Sequence, residues 1–124
     1  MAATVLVVDD DAASREMVCT VLEYEGYKTC AVRDGAAALH AMDTVRPDVV
    51  LSDILMPAMD GYELVRAIRA DPKLRATPVV FYTAFFVNTI KRAEANDLEV
   101  ETIVEKVGDI LTLVAAVAGA VVAA

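Results

Sequence analysis

The 124-residue chain has no tryptophan, one histidine (His40) and two cysteines (Cys19 and Cys30). Two cysteines are too few for a disulfide framework, and their spacing is not that of a metal site, so both are expected as buried free thiols in a reducing compartment. No Cys/His metal cluster, Ser-His-Asp arrangement or Gly-rich nucleotide loop is present; His40 is expected to be a surface or packing residue. Basic side chains are scarce, 11 against 19 acidic, for a formal charge of −8. That deficit argues against nonspecific nucleic-acid binding, which depends on basic contacts to phosphate, and against anionic membrane surfaces.

Long apolar runs are missing too. The amino end has no basic region and reaches three aspartates within a few residues, which does not fit a secretory signal. The stretch 110–124 is uncharged and rich in Ala and Val, but it falls short of the roughly 20 residues that span a bilayer. Ile110, Leu113, Val114, Val117 and Val121 recur there at helical spacing, as in a helix packed on a core. No repeat, low-complexity linker or internal boundary appears, so the reading is one domain over 1–124. Its 57% hydrophobic content suits a two-sided core and not a disordered segment.

Short apolar runs alternate with longer helical patterns. Thr4–Val8, Lys28–Val32, 49–52, 78–82 and 100–104 read as strands; 12–25, Gly35–Val45, 60–70, 86–96 and 109 onward read as helices. In the first helix Met17, Val18, Val21 and Leu22 share the inward face. Gly26 and Pro47 sit where the first two helices should stop. Five successive βα units predict an α/β fold, a doubly wound parallel sheet with right-handed crossovers and helices on both faces.

Ligands of an open parallel sheet bind at the carboxyl ends of its strands. Residues immediately after the strands belong together on that account: Asp9-Asp10-Asp11, Ser52-Asp53, Thr83-Ala84 and Lys106. Carboxylates held about 4 Å apart repel by about 4 kcal/mol per pair at an effective dielectric near 20. A cation between them offsets this, and an all-oxygen site favours Mg²⁺. A carboxylate beside such a cation can act as nucleophile toward phosphorus, with the lysine and hydroxyl placing the phosphoryl oxygens. Asp11, Asp34, Asp60 and Asp109 are read instead as helix caps or turn formers.

The segments Val5-Leu6-Val7-Val8-Asp9-Asp10, Leu51-Ser52-Asp53-Ile54-Leu55-Met56-Pro57 with Asp60-Gly61, and Tyr82-Thr83-Ala84 resemble the receiver domain of two-component response regulators, the CheY-like superfamily. The resemblance covers the whole chain. It implies a flavodoxin-like three-layer sandwich with strand order 2-1-3-4-5. It also implies a phosphorelay module that takes a phosphoryl group from a histidine kinase or histidine phosphotransfer domain, in the cytoplasm, with no separate substrate of its own. Carried over by position, Asp53 is the phosphoacceptor, forming an aspartyl phosphate. Asp10 and Asp53 bind Mg²⁺ with the backbone carbonyl of Leu55, and Asp9 assists through a water. Thr83 and Lys106 contact the phosphoryl group.

Three departures from the family pattern stand out. Val107 replaces the proline that follows the lysine, so a trans bond is expected there. Ile103 stands where many receivers carry an aromatic residue whose rotation is coupled to the hydroxyl. Segment 93–101 lacks the usual Gly-Ala-Asp-Asp-Tyr run. These departures keep a second reading open, a degenerate, non-switching interaction domain, possibly cut from a hybrid histidine kinase or larger regulator. A third class fits poorly. A flavin site wants a Gly- and hydroxyl-rich loop where this chain has Asp9-Asp10-Asp11, and a haloacid-type phosphatase wants a hydroxyl residue that Ala12 and Ala13 do not supply. Leu55 and Phe85 should border the phosphoryl group and exclude water, which predicts a long-lived aspartyl phosphate. The receiver pattern fills the chain, with no output domain expected within it. The apolar last helix suggests either a homodimer surface or a chain that continued.

Overall fold

A computed structural model describes residues 2–83, 89–106 and 110–123. Five strands, β1 (Thr4–Val8), β2 (Lys28–Val32), β3 (Val49–Asp53), β4 (Val79–Thr83) and β5 (Thr102–Glu105), alternate with five helices. These are α1 (Ala12–Tyr24), α2 (Gly35–Val45), α3 (Gly61–Ala70), α4 (Thr89–Asp97) and α5 (Ile110–Ala123). The strands are all parallel, in the order β2-β1-β3-β4-β5. This is the expected doubly wound, flavodoxin-like sandwich.

Strand alternation divides the core in two. Leu6, Val8, Val50, Val79 and Phe81 pack with Ala38 and Met42 of α2, Leu64, Val65 and Ile68 of α3, and Ala95 of α4. Their neighbours Val5, Val7, Val49, Leu51, Val80 and Tyr82 face the other way, onto Val18 and Leu22 of α1 and Leu113, Val117 and Ala120 of α5. The central strands β1, β3 and β4 are thus apolar on both faces, as parallel strands covered on both sides must be. The register Val8↔Ser52 and Asp53↔Tyr82 brings the ends of these three strands level. Asp9 and Asp53 leave the sheet at that edge.

Some expectations need correction. Met17 is exposed on α1, where Val18 and Leu22 alone are buried. Both cysteines are half-buried free thiols rather than core residues; burial still pushes the Cys19 thiol up. Asp34 and Asp60 cap α2 and α3 through the amides of Ala37 and Glu63. Asp11 holds the N-cap position of α1 but makes no side-chain cap: its own amide is turned to Asp9 Oδ1 instead. The strands β4 and β5 run one residue or more later than their sequence pattern indicated, because Thr83 and Glu105 complete the ladder. Ala84, Phe85, Val107 and Asp109 lie outside the described residues.

The departure at 93–101 has a local cost. Helix α4 closes with Val100 N–H donating to Ala95 O and Glu99 N–H to Asn96 O, a Schellman pair that needs a left-handed residue between helix and strand. Glu99 fills it at φ 58°, where a side chain is strained and glycine is not. Arg69 of α3 supports the turn, donating to the carbonyls of Leu98 (2.8 Å) and Glu99 (3.2 Å), and Arg66 pairs with Glu94 of α4. Glu99→Gly is expected to stabilise the protein by about 1 kcal/mol in urea unfolding. An unchanged or lower midpoint would contradict the strain.

Candidate functional site

Four elements end at the carboxyl edge of the sheet. Asp9 follows β1 and is fully buried; Asp53 ends β3 at 6% exposure; Thr83 ends β4 and is buried. Lys106 follows β5, its backbone N–H held 2.7 Å from Thr83 O. Asp10 is exposed beside them. Asp9, Asp10 and Asp53 each present a carboxylate oxygen, and these oxygens lie within 4.8 Å of one another.

Lys106 Nζ bridges the two buried acids, 2.9 Å from Asp53 Oδ2 and 3.1 Å from Asp9 Oδ2. Backbone amides hold the remaining oxygens. Ile54 N–H donates to Asp53 Oδ1 at 2.7 Å, and Asp11 N–H to Asp9 Oδ1 at 3.0 Å. The β3–α3 turn is fixed from below by Gly61, whose amide donates 2.8 Å to Ile54 O, and by the capping box of Asp60 and Glu63. Rigid strand ends and a tight turn therefore place the acids; no long loop is involved.

The two buried carboxyls differ in electrostatics. Burial pushes Asp53 above the usual carboxylate range, and the ion pair with Lys106 only partly offsets it. Burial acts on Asp9 in the same direction, but hydrogen bonds from Tyr82, the Asp11 amide, Ser14 and Lys106 outweigh it and leave Asp9 below that range. Burial would lower Lys106, yet its two carboxylate partners hold it up. The ammonium is thus a fixed counter-charge between two acids.

Sequence reasoning assembled Asp9, Asp10, Asp53, Thr83 and Lys106, and the structure brings them to one edge. Leu55 sits two residues past Asp53 in the turn, its side chain 55% exposed. Ser52 is buried but turned aside, its hydroxyl donating to Asp53 O at 2.8 Å. Sequence reasoning missed Tyr82, whose hydroxyl donates to Asp9 Oδ2 at 2.5 Å, and Arg15, whose Nη1 donates to Asp9 O at 2.7 Å. A phenol in an otherwise apolar buried strand, next to Thr83, was the available signal for Tyr82. His40 is exposed on α2, away from this edge.

Comparison with known proteins shows the family to which this fold belongs. The family model described as the response regulator receiver domain matches residues 5–118. The DNA-binding response regulator MtrA of Mycobacterium tuberculosis is 45% identical over 80 residues, 64% of this chain and 34% of that protein. Response regulator PleD of Caulobacter vibrioides is 39% identical over 84 residues, 68% of this chain and 18% of that protein. The chain therefore spans about a third, or less, of the length of these curated relatives. Among solved structures, chemotaxis response regulator CheY4 of Vibrio cholerae superposes with a TM-score of 0.88 at 31% identity, covering 97% of this chain and 99% of that one. The receiver domain of a signal transduction histidine kinase from Syntrophus aciditrophicus gives 0.88 at 30% identity, covering 98% and 92%. The chain belongs to the response regulator receiver domain family of two-component signalling. Among the described residues, no helix is long and apolar enough to cross a membrane.

Proposed function

We propose that this receiver takes a phosphoryl group onto Asp53 from a phosphohistidine of a histidine kinase or histidine phosphotransfer domain, in the cytoplasm. The supporting observation is the site itself: three carboxylate oxygens within 4.8 Å, with one ammonium bridging the two buried acids. An all-oxygen acidic set of that size fits Mg²⁺, held by Asp10 and Asp53 with the Leu55 carbonyl and with Asp9 alongside. When bound, Mg²⁺ would supply positive charge to the acids and to phosphoryl oxygens.

The chain's own residues do the rest. Asp53 Oδ attacks phosphorus, forming an O–P bond as the N–P bond of the donor breaks and its electron pair leaves with the imidazole nitrogen. Lys106 shifts from the carboxylates to a phosphoryl oxygen, and Thr83 donates its hydroxyl to another. Mg²⁺-dependent labelling by a small phosphodonor tests the assignment. The wild type is expected to incorporate one phosphoryl group and Asp53→Asn none; no labelling, or equal labelling of both, would refute it and leave the interaction-domain reading in its place.

Leu55, two residues past the acceptor, is apolar and offers no group to orient an attacking water. Once labelled, the protein is expected to keep its phosphoryl group well beyond minutes. Rapid spontaneous loss of label would defeat that expectation.

A further inference from the structure

Tyr82 lies under the site from the α1/α5 side, almost fully buried. Its hydroxyl donates to Asp9 Oδ2 at 2.5 Å, the same oxygen that receives Lys106 Nζ at 3.1 Å. The ammonium also sits 4.9 Å from the centre of the Tyr82 ring. One phenol thus touches both partners of the Asp9–Lys106 pair. Since the amide of Asp11 takes Asp9 Oδ1, Tyr82 and Lys106 share the remaining oxygen.

We propose that Tyr82 is a positioning residue that divides Asp9 Oδ2 with Lys106, so that the ammonium can yield its place to a divalent cation and move to the phosphoryl group. This rests on the phosphoacceptor reading given above. Lys106 occupies the space between the acids that a metal ion needs, so the two cations compete. A carboxylate oxygen already bonded to a phenol holds an ammonium less firmly than one left to the ammonium alone. The ring also gives the ammonium a face to slide against as it leaves. Removing the hydroxyl leaves Asp9 Oδ2 to Lys106, which stays and blocks the cation.

The test is Mn²⁺ binding, read by electron paramagnetic resonance of the free ion, in wild type, Tyr82→Phe, Lys106→Ala and the double variant. Tyr82→Phe keeps the ring and therefore the packing. It is expected to weaken Mn²⁺ about tenfold, the scale of a lost hydrogen bond to a charged group. In the Lys106→Ala background the same change is expected to alter affinity less than about twofold, because the competing ammonium is absent. The labelling rate at Mg²⁺ below saturation should fall in Tyr82→Phe for the same reason, and recover as Mg²⁺ approaches saturation. An equal effect in both backgrounds, or wild-type affinity in Tyr82→Phe, would overturn the proposal. Failure of the wild type to label counts against the phosphoacceptor reading alone, since the Mn²⁺ arms decide the role of Tyr82 without it.

Discussion

Asp53→Asn is expected to abolish phosphoryl labelling and, without added metal, to melt at a higher temperature than the wild type. The loss of labelling follows from removing the nucleophile. The gain in stability follows from the charge balance, because three carboxylates cluster within 4.8 Å while one ammonium pairs with two of them. Burial holds the Asp53 carboxyl above its ordinary range, so the folded state favours its neutral form. Ionised Asp53 then destabilises the fold at every pH above its raised value. Asparagine removes the charge and can still accept the Ile54 N–H, while Lys106 keeps Asp9 at 3.1 Å.

The relief should raise the melting temperature, by about 4 °C for each kcal/mol in a domain of this size. The gap should begin to narrow as pH falls below the raised Asp53 value and vanish below the ordinary aspartate value, where folded and unfolded wild type are both neutral at this position. Saturating Mg²⁺ should reverse the order, since a ligand at about 100 times its dissociation constant adds roughly 2.7 kcal/mol to the form that binds it, and the variant has lost a ligand. A metal-free Asp53→Asn protein that melts below the wild type would mean that the Lys106 pair outweighs burial.

These effects depend on side chains that the sequence exposed to view unevenly. Asp9, Asp10, Asp53, Thr83 and Lys106 were legible because a parallel sheet puts its strand ends at one edge, and apolar runs mark those ends. The two-faced core was legible for the same reason: Val5-Leu6-Val7-Val8 can only lie between two helical layers. Tyr82 was hidden because strand alternation says which face a residue takes but not how far its polar tip reaches. Arg15 was hidden because its contact is a backbone carbonyl, which no pattern of side chains announces. Met17 was misplaced because it adjoins the buried stripe of Val18 and Leu22, and residues at the edge of such a stripe are decided by the neighbouring helix. The left-handed Glu99 escaped notice because the residue type contradicts the conformation, and tertiary support from Arg69 prevails over local preference.

Gly61→Ala is expected to cost more stability than alanine at any other described glycine, because its new Cβ meets backbone and not a flexible side chain, and to impair labelling although it touches no reacting atom. A Cβ at Gly61 would lie 2.7 Å from the Asp53 carbonyl oxygen, 2.9 Å from Ile54 Cα and 3.1 Å from the Phe81 ring. The first two are backbone atoms of the acceptor's own turn, tied by the Gly61 N–H to Ile54 O bond at 2.8 Å, so relief requires moving either the start of α3 or Asp53 itself. Overpacking against fixed backbone costs about 3 kcal/mol, against less than about 1 kcal/mol gained from alanine's better helix propensity. The steric term wins, and the melting temperature should fall by roughly 10 °C. Gly119→Ala is the control: a Cβ there meets nothing within 4 Å, so only the propensity gain remains and the protein should be slightly more stable. Because the strain falls on the Asp53 carbonyl, Gly61→Ala should also slow labelling at temperatures where it is still folded. A variant that melts and labels like the wild type would show that the turn carrying Asp53 yields freely, and that its placement does not depend on the close approach of α3.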